Sequence, residues 1–216
     1  MKPDWFKCKL KLKGNTVGST NTDFCDLPNT SEEAYLVGLW CADGYHRTSS
    51  IGISNTDLDL IAQFRAWFTK NFACDRLKLR IYPADGIKRK RQAYHLYVNS
   101  RSLLRRFMVL KRDPSLSPNL LPAYLAGRFD GDGSVRKDFR ADCRILYTTV
   151  QEANLDLRLM KSVGMDGARI YHYKSARTFC LYVPRGQTAK FLSLIYPYSV
   201  RLQKSVFVPR RDLVTH

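Results

Sequence analysis

Tyr35-Leu-Val-Gly-Leu-Trp-Cys-Ala-Asp-Gly44 and Tyr124-Leu-Ala-Gly-Arg-Phe-Asp-Gly-Asp-Gly133 are two versions of one stretch. The tyrosine, the leucine, the first glycine, the final aspartate and the final glycine coincide at an offset of 89 residues. The same offset aligns Arg80-Ile81-Tyr82 with Arg169-Ile170-Tyr171. Leu96-Tyr97-Val98 then aligns with Leu181-Tyr182-Val183 at an offset of 85. Three matches in one order predict a tandem duplication of units of roughly 80 to 90 residues.

Each unit reads as helix, strand pair, helix, strand pair, helix, an α+β fold with antiparallel sheets. In the first copy, Ser31 is read as the cap of a helix over 31–41, with Glu32 and Glu33 in its favourable first turn. A hairpin covers 45–54, and Leu58, Ile61, Phe64 and Phe68 give 57–72 helical spacing. Strands are expected over 78–82 and 94–98, then a helix over 102–110. The second copy reads 121–131, 134–149, 152–163, 168–173, 178–183 and 187–195 in the same order. The domains expected are a basic N-terminal extension (1–30), a first half (31–112), a linker (113–119) and a second half (120–216).

Asp43 and Asp132 each end a short apolar helix, ahead of a glycine able to adopt a left-handed cap. The macrodipole puts partial negative charge there, so a carboxylate is at the unfavourable end. One Asp-Gly is a common turn; two at equivalent positions of a duplication ask for a cation. Two carboxylates with the open carbonyls of the helix ends are hard oxygen donors suited to Mg²⁺, which keeps waters and a substrate phosphate. Gly38 and Ala42 on one helix, and Gly127 and Gly131 on the other, are four residues apart. Small residues so spaced let two helix backbones pack closely, which would bring the aspartates side by side.

The chain carries 36 Lys and Arg against 19 Asp and Glu, a net charge of +17, with 44% hydrophobic residues. It is long enough for a core, and the charge points to nucleic acid as partner. No run approaches a membrane span; the longest apolar stretch is 34–42. A soluble, intracellular, non-membrane protein is expected, and the dispersed Cys8, Cys25, Cys41, Cys74, Cys143 and Cys180 read as reduced and mostly buried rather than as a zinc site.

Residues 36–44 and 125–133 resemble the LAGLIDADG motifs of homing endonucleases at all nine positions, and the element order of 31–205 fits that family. Two motifs in one chain resemble its monomeric, pseudo-twofold subclass, in which two central motif helices stand over a saddle of antiparallel sheets. The resemblance makes Asp43 and Asp132 the metal-binding acids and assigns the carbonyls of Ala42 and Gly131 to the metal. It implies Mg²⁺, with Mn²⁺ able to substitute and Ca²⁺ able to bind without supporting cleavage. The sixth position departs (Cys41 and Asp130), as does Arg128 at the fourth. The family also places a basic residue after the last helix of each half; Lys111 and Lys204 occupy that region, with Arg112 and Arg201 nearby. The activity implied is Mg²⁺-dependent double-strand cleavage leaving short 3′ overhangs. The alternatives are an RNA maturase acting on its own intron and a cleavage-deficient DNA-binding protein. An intein is not expected, given the absence of a leading Cys or Ser and of a terminal His-Asn.

Period-two alternation puts Lys78, Arg80 and Tyr82, and likewise Arg169, Tyr171 and Tyr173, on an open sheet face suited to the major groove. Strands of about 10 residues at about 3.3 Å each span roughly 33 Å, which sets an asymmetric target of roughly 20 base pairs. Further DNA contacts are expected from Arg47, Lys88, Arg89, Lys90, Arg91, Arg136, Lys137, Arg140, Arg144, Lys174 and Arg177, mainly to phosphates. Lys7, Lys9, Lys11 and Lys13 form a basic arm.

Overall fold

The computed structural model describes residues 24–84, 91–135 and 142–205. Lys88, Arg89, Lys90, Arg136, Lys137, Arg140 and the basic arm lie outside the described residues. The element order is α1 (Ser31–Asp43), β1 (Gly44–Arg47), β2 (Ser50–Asn55), α2 (Leu58–Asn71), β3 (Lys78–Tyr82), β4 (Ala93–Asn99) and α3 (Arg101–Arg112). The second copy follows with α4 (Leu121–Asp132), β5 (Gly133–Val135), β6 (Cys143–Tyr147), α5 (Val150–Ser162), β7 (Arg169–Tyr173), β8 (Thr178–Val183), α6 (Arg185–Ile195) and a short α7 (Val200–Gln203). Both sheets are four-stranded with equivalent orders, β1-β2-β4-β3 and β5-β6-β8-β7. The duplication is therefore structural.

Two details correct the sequence reading. The cap of α1 is Thr30 and not Ser31: Glu33 N–H donates to Thr30 Oγ1 at 3.2 Å, and the Glu33 carboxylate accepts from Asn29 and Thr30 N–H. This reciprocal box satisfies three donors that the helix leaves open. The Arg-Ile-Tyr match is also two residues out of step. Lys78 lies opposite Tyr97 and Leu79 opposite Leu96, while Arg169 lies opposite Tyr182 and Ile170 opposite Leu181. Since Leu96-Tyr97 corresponds to Leu181-Tyr182, Arg169 is the counterpart of Lys78, and Tyr171 that of Arg80. A slip of two keeps the same sheet face, so the two predicted face sets stand.

By contact the described residues form two compact units: 24–26 with 45–104, and 27–44 with 105–205. These units do not follow the repeat, because α1 groups with the second copy. In the first unit, Leu60, Ile61, Phe64, Trp67 and Phe68 of α2 bury against the sheet face of Ile51, Ile53, Leu79, Leu96 and Val98. Phe64, Phe68 and Phe72 continue this core edge to face, at ring separations of 5.6 and 5.8 Å.

The second unit is built on α1 and α4, which share the most extensive contact between any two described elements. Residues 34–41 of α1 and 123–130 of α4 are all buried. A helix apolar all round has no solvent face to keep, which suits a central position. Phe107 of α3 closes on Trp40 edge to face at 5.3 Å, and Phe191 of α6 on Phe129 at 6.3 Å. Cys41, Cys143 and Cys180 are buried thiols, while Cys25 is exposed.

Candidate metal centre and nucleic-acid face

The small-residue stripe brings the two helix backbones together. A Cβ on Gly38 would collide with the Tyr124 carbonyl and lie 2.9 Å from its carbon; one on Gly127 would collide with the Tyr35 carbonyl and lie 2.6 Å from Leu39 N. One turn further on, Gly131 faces Ala42, and its missing Cβ would also lie 3.0 Å from Asp43 Oδ2. The Asp43 carboxylate therefore lies over the residue preceding Asp132. The glycines after the aspartates do not take the left-handed cap expected of them: Gly44 and Gly133 are extended, with φ of −66 and −81. Close approach demands glycine here instead, since a Cβ would strike Trp40 or Phe129 in the turn behind.

Asp43 and Asp132 are both half-buried. Burial pushes the Asp132 carboxyl above its usual range; Arg128 opposes this, Glu152 reinforces it and Lys111 opposes it. Among the described residues, no three His, Cys, Asp or Glu side chains gather into a metal-binding group, so the candidate is the pair of carboxylates. The donor set fits a hard cation that keeps waters and a substrate oxygen, and the space kept open at Gly131 adjoins the acids of both helices. Asp43, Asp132 and the carbonyls of Ala42 and Gly131 would hold it.

Around this pair is a cluster of charges that the sequence reading did not assemble. Arg128 Nε donates to Asp156 Oδ2 at 2.8 Å, and Tyr124 and Tyr147 hydroxyls donate to the same carboxylate at 2.9 and 2.8 Å. Glu152 then bridges Arg128 Nη2 at 3.6 Å and Lys111 Nζ at 3.3 Å. Lys111 is half-buried, 6.0 Å from the Trp40 ring centroid. Burial drives the neighbouring Cys41 thiol up to about 11, which leaves it neutral and inert.

Asp130, the other departure from the motif, is a buried clamp. It accepts from Tyr35 Oη at 2.8 Å, Ser199 Oγ at 2.5 Å and Val200 N–H at 2.7 Å. Burial raises its carboxyl, against those hydrogen bonds. Arg201 in turn donates to the carbonyls of Phe129, Asp130 and Gly133 at 3.1, 3.1 and 2.9 Å, capping α4 where Asp132 sits. Of the two predicted lysines, Lys111 thus stands within electrostatic reach of Asp132, while Lys204 is exposed on the turn after α7. Glu152, Asp156, Ser199 and Arg201 were missed because they are distant in sequence from the motif; Arg128 and Asp130 were visible as departures from it.

These motifs have the company expected of them. Residues 30–110 match the family described as LAGLIDADG-like domain. Residues 30–110 are a LAGLIDADG-like domain, and the chain has the LAGLIDADG fold. The structure is similar to I-DmoI in complex with DNA and Mn, with a TM-score of 0.59 and 19% identity over 76% of this chain and 96% of that one. It is also similar to full-length DUF199/WhiA from Thermatoga maritima, with a TM-score of 0.58 and 16% identity over 88% of this chain and 61% of that one. An A-type ATP synthase protein of Methanopyrus kandleri is 33% identical over 142 residues, 62% of this chain. The chain spans 13% of that curated relative's length. No described helix is long and apolar enough to cross a membrane.

The LAGLIDADG sheets place the predicted contact residues as follows. In the first unit, Lys78 and Arg80 are exposed, Tyr82 is half-buried and Arg47 is exposed on β1. Arg80 stacks over Tyr97 at 5.4 Å, beside a cluster in which Tyr45 meets His95 at 3.7 Å. Arg91 is exposed beside β4. In the second unit, Arg144, Arg169, Tyr171, Tyr173, Lys174 and Arg177 are all exposed, with Arg177 in the left-handed turn between β7 and β8.

Proposed function

We propose that this chain is a divalent-metal-dependent endonuclease that cuts both strands of duplex DNA within a long asymmetric site. The observation that carries this reading is the Asp43 carboxylate lying against Gly131, beside a partly desolvated Asp132. Two acids confined together disfavour each other's charge; a cation and a phosphate would resolve that. The reading is supported by the similarity to I-DmoI, a homing endonuclease studied with its target DNA and with Mn, Mg or Ca. Intron homing, a monomeric state and short 3′ overhangs belong to the same proposal.

When bound, Mg²⁺ or Mn²⁺ supplies Lewis-acid charge at the scissile phosphate. The protein does the rest by position. Asp43 and Asp132 hold their oxygens at one place because the paired helices leave them no room to separate. Lys111, held by Glu152, offers its ammonium to the charge that develops on the phosphate oxygens. Arg201 fixes the end of α4 and so the backbone on either side of Gly131.

The test is a randomised duplex library incubated with the full chain in Mg²⁺, and separately in Ca²⁺, with the ends sequenced. Cleavage in Mg²⁺ only, abolished by D43N and by D132N, is the expected result. WhiA shares the fold, so tight selective binding without any cleavage would replace this reading with a binding protein.

A further inference from the structure

The two sheets present unlike rows at equivalent positions. In the first, Ser54, His95 and Arg80 lie side by side across β2, β4 and β3. In the second, the same row is Leu146, Cys180 and Tyr171 across β6, β8 and β7. Leu146 is 42% exposed and Tyr171 46%, and Tyr173, further along the same face of β7, is 42% exposed. These are three of the five large exposed hydrophobic side chains among the described residues, and they share one face. The next row holds Arg144, Tyr182 and Arg169, with both arginines exposed. Tyr171 and Tyr182 meet edge to face at 5.6 Å, which holds the Tyr171 ring upright.

An apolar row flanked by exposed cations has to suit a partner that is anionic at its margins and apolar at its centre. The major groove of duplex DNA offers that combination through one group, the 5-methyl of thymine, between two phosphate backbones. We propose that the second sheet reads thymine, with Leu146 and Tyr171 packing on 5-methyl groups in its half of the target while Arg144 and Arg169 grip the backbone. In the first sheet the same row offers the Arg80 guanidinium, a donor suited to guanine. The inference rests on the DNA reading proposed above, and it makes the two half-sites differ in chemistry as well as in sequence.

The test uses the intact chain and sites selected from a randomised duplex library in Ca²⁺. Thymines enriched in one half of the site are replaced one at a time by deoxyuridine, which lacks only the methyl. Each informative replacement in that half should weaken binding roughly fourfold, as for one buried methyl, and replacements in the other half should do so by less than about twofold. L146A and Y171A should bind thymine and uracil sites alike, while their thermal melting stays near that of the parent because both side chains are exposed. Equal binding of thymine and uracil by the parent chain, or discrimination that survives in L146A and Y171A, overturns the assignment. So does equal affinity for the matching RNA duplex, or a change of oligomeric state in L146A in place of a DNA effect. Failure to select any duplex site sinks the DNA reading itself, a result distinct from a selected site that ignores the methyl.

Discussion

Gly38 and Gly127 pack against each other's helix at backbone distance: each one's absent Cβ would strike a carbonyl of the opposite helix, Tyr124 and Tyr35 respectively. Neither obstacle can rotate away, because both are backbone. G38A and G127A should therefore force the helices apart, each costing about 1–3 kcal/mol or more. Cleavage should fall with them, since the same contact sets the spacing of Asp43 and Asp132. Thermal melting together with cleavage rates checks this, and a G38A protein that melts and cuts like the parent would refute the close packing.

Asp156 shares one carboxylate among Arg128, Tyr124 and Tyr147 in a fully buried site. Removing it strands the Arg128 charge, so D156A should lose about 3–5 kcal/mol in urea denaturation. Removing the charge as well, in R128M/D156A, should recover part of that loss, because two bare hydroxyls cost less than a bare guanidinium. Equal stability of the single and double variants would show that Arg128 finds another partner.

That cluster also marks the limit of what could be read in advance. Gly38, Ala42, Gly127 and Gly131 were legible because four-residue spacing is a local property of helices. Lys78 and Tyr171 fell on the expected faces because strand periodicity is local too. The partners of Arg128 and Asp130 were not legible, since Asp156, Ser199 and Arg201 approach only through tertiary folding. The first copy gave no hint, because Leu39 and Phe64 occupy the positions corresponding to Arg128 and Asp156, each counted from its motif or helix cap. The false register of Arg80 with Arg169 was invisible for the opposite reason: a slip of two leaves the pattern of faces unchanged.

Arg201 makes three hydrogen bonds from one nitrogen to the last carbonyls of α4 and the glycine after it. R201A should destabilise the protein by about 1–2 kcal/mol through the lost cap, and should lower the cleavage rate more than DNA affinity, because the end of α4 carries Asp132. R201K should rescue little, since a flexible ammonium does not reproduce a rigid guanidinium set against Phe129. Melting curves with single-turnover cleavage and binding on one substrate separate the two effects; a purely affinity-based defect would count against the positioning role.

His95 is 4% exposed although it lies on the sheet face with Arg80, packed against the Tyr45 ring at 3.7 Å and the Tyr97 ring at 5.2 Å. Burial holds its imidazole below the usual 6.5, and the nearby charges of Arg80 and Arg47 push the same way. The unfolded chain therefore binds a proton more readily than the folded one. Stability from this site is complete above about pH 6.5 and is lost as pH falls through the lower folded value. H95F keeps a ring in the Tyr45–Tyr97 cluster and removes the titration. Melting temperatures measured from about pH 7.5 down to about pH 5, a range that brackets the imidazole, should fall more steeply for the parent than for H95F. Parallel curves would mean that the proton is accommodated in the folded sheet.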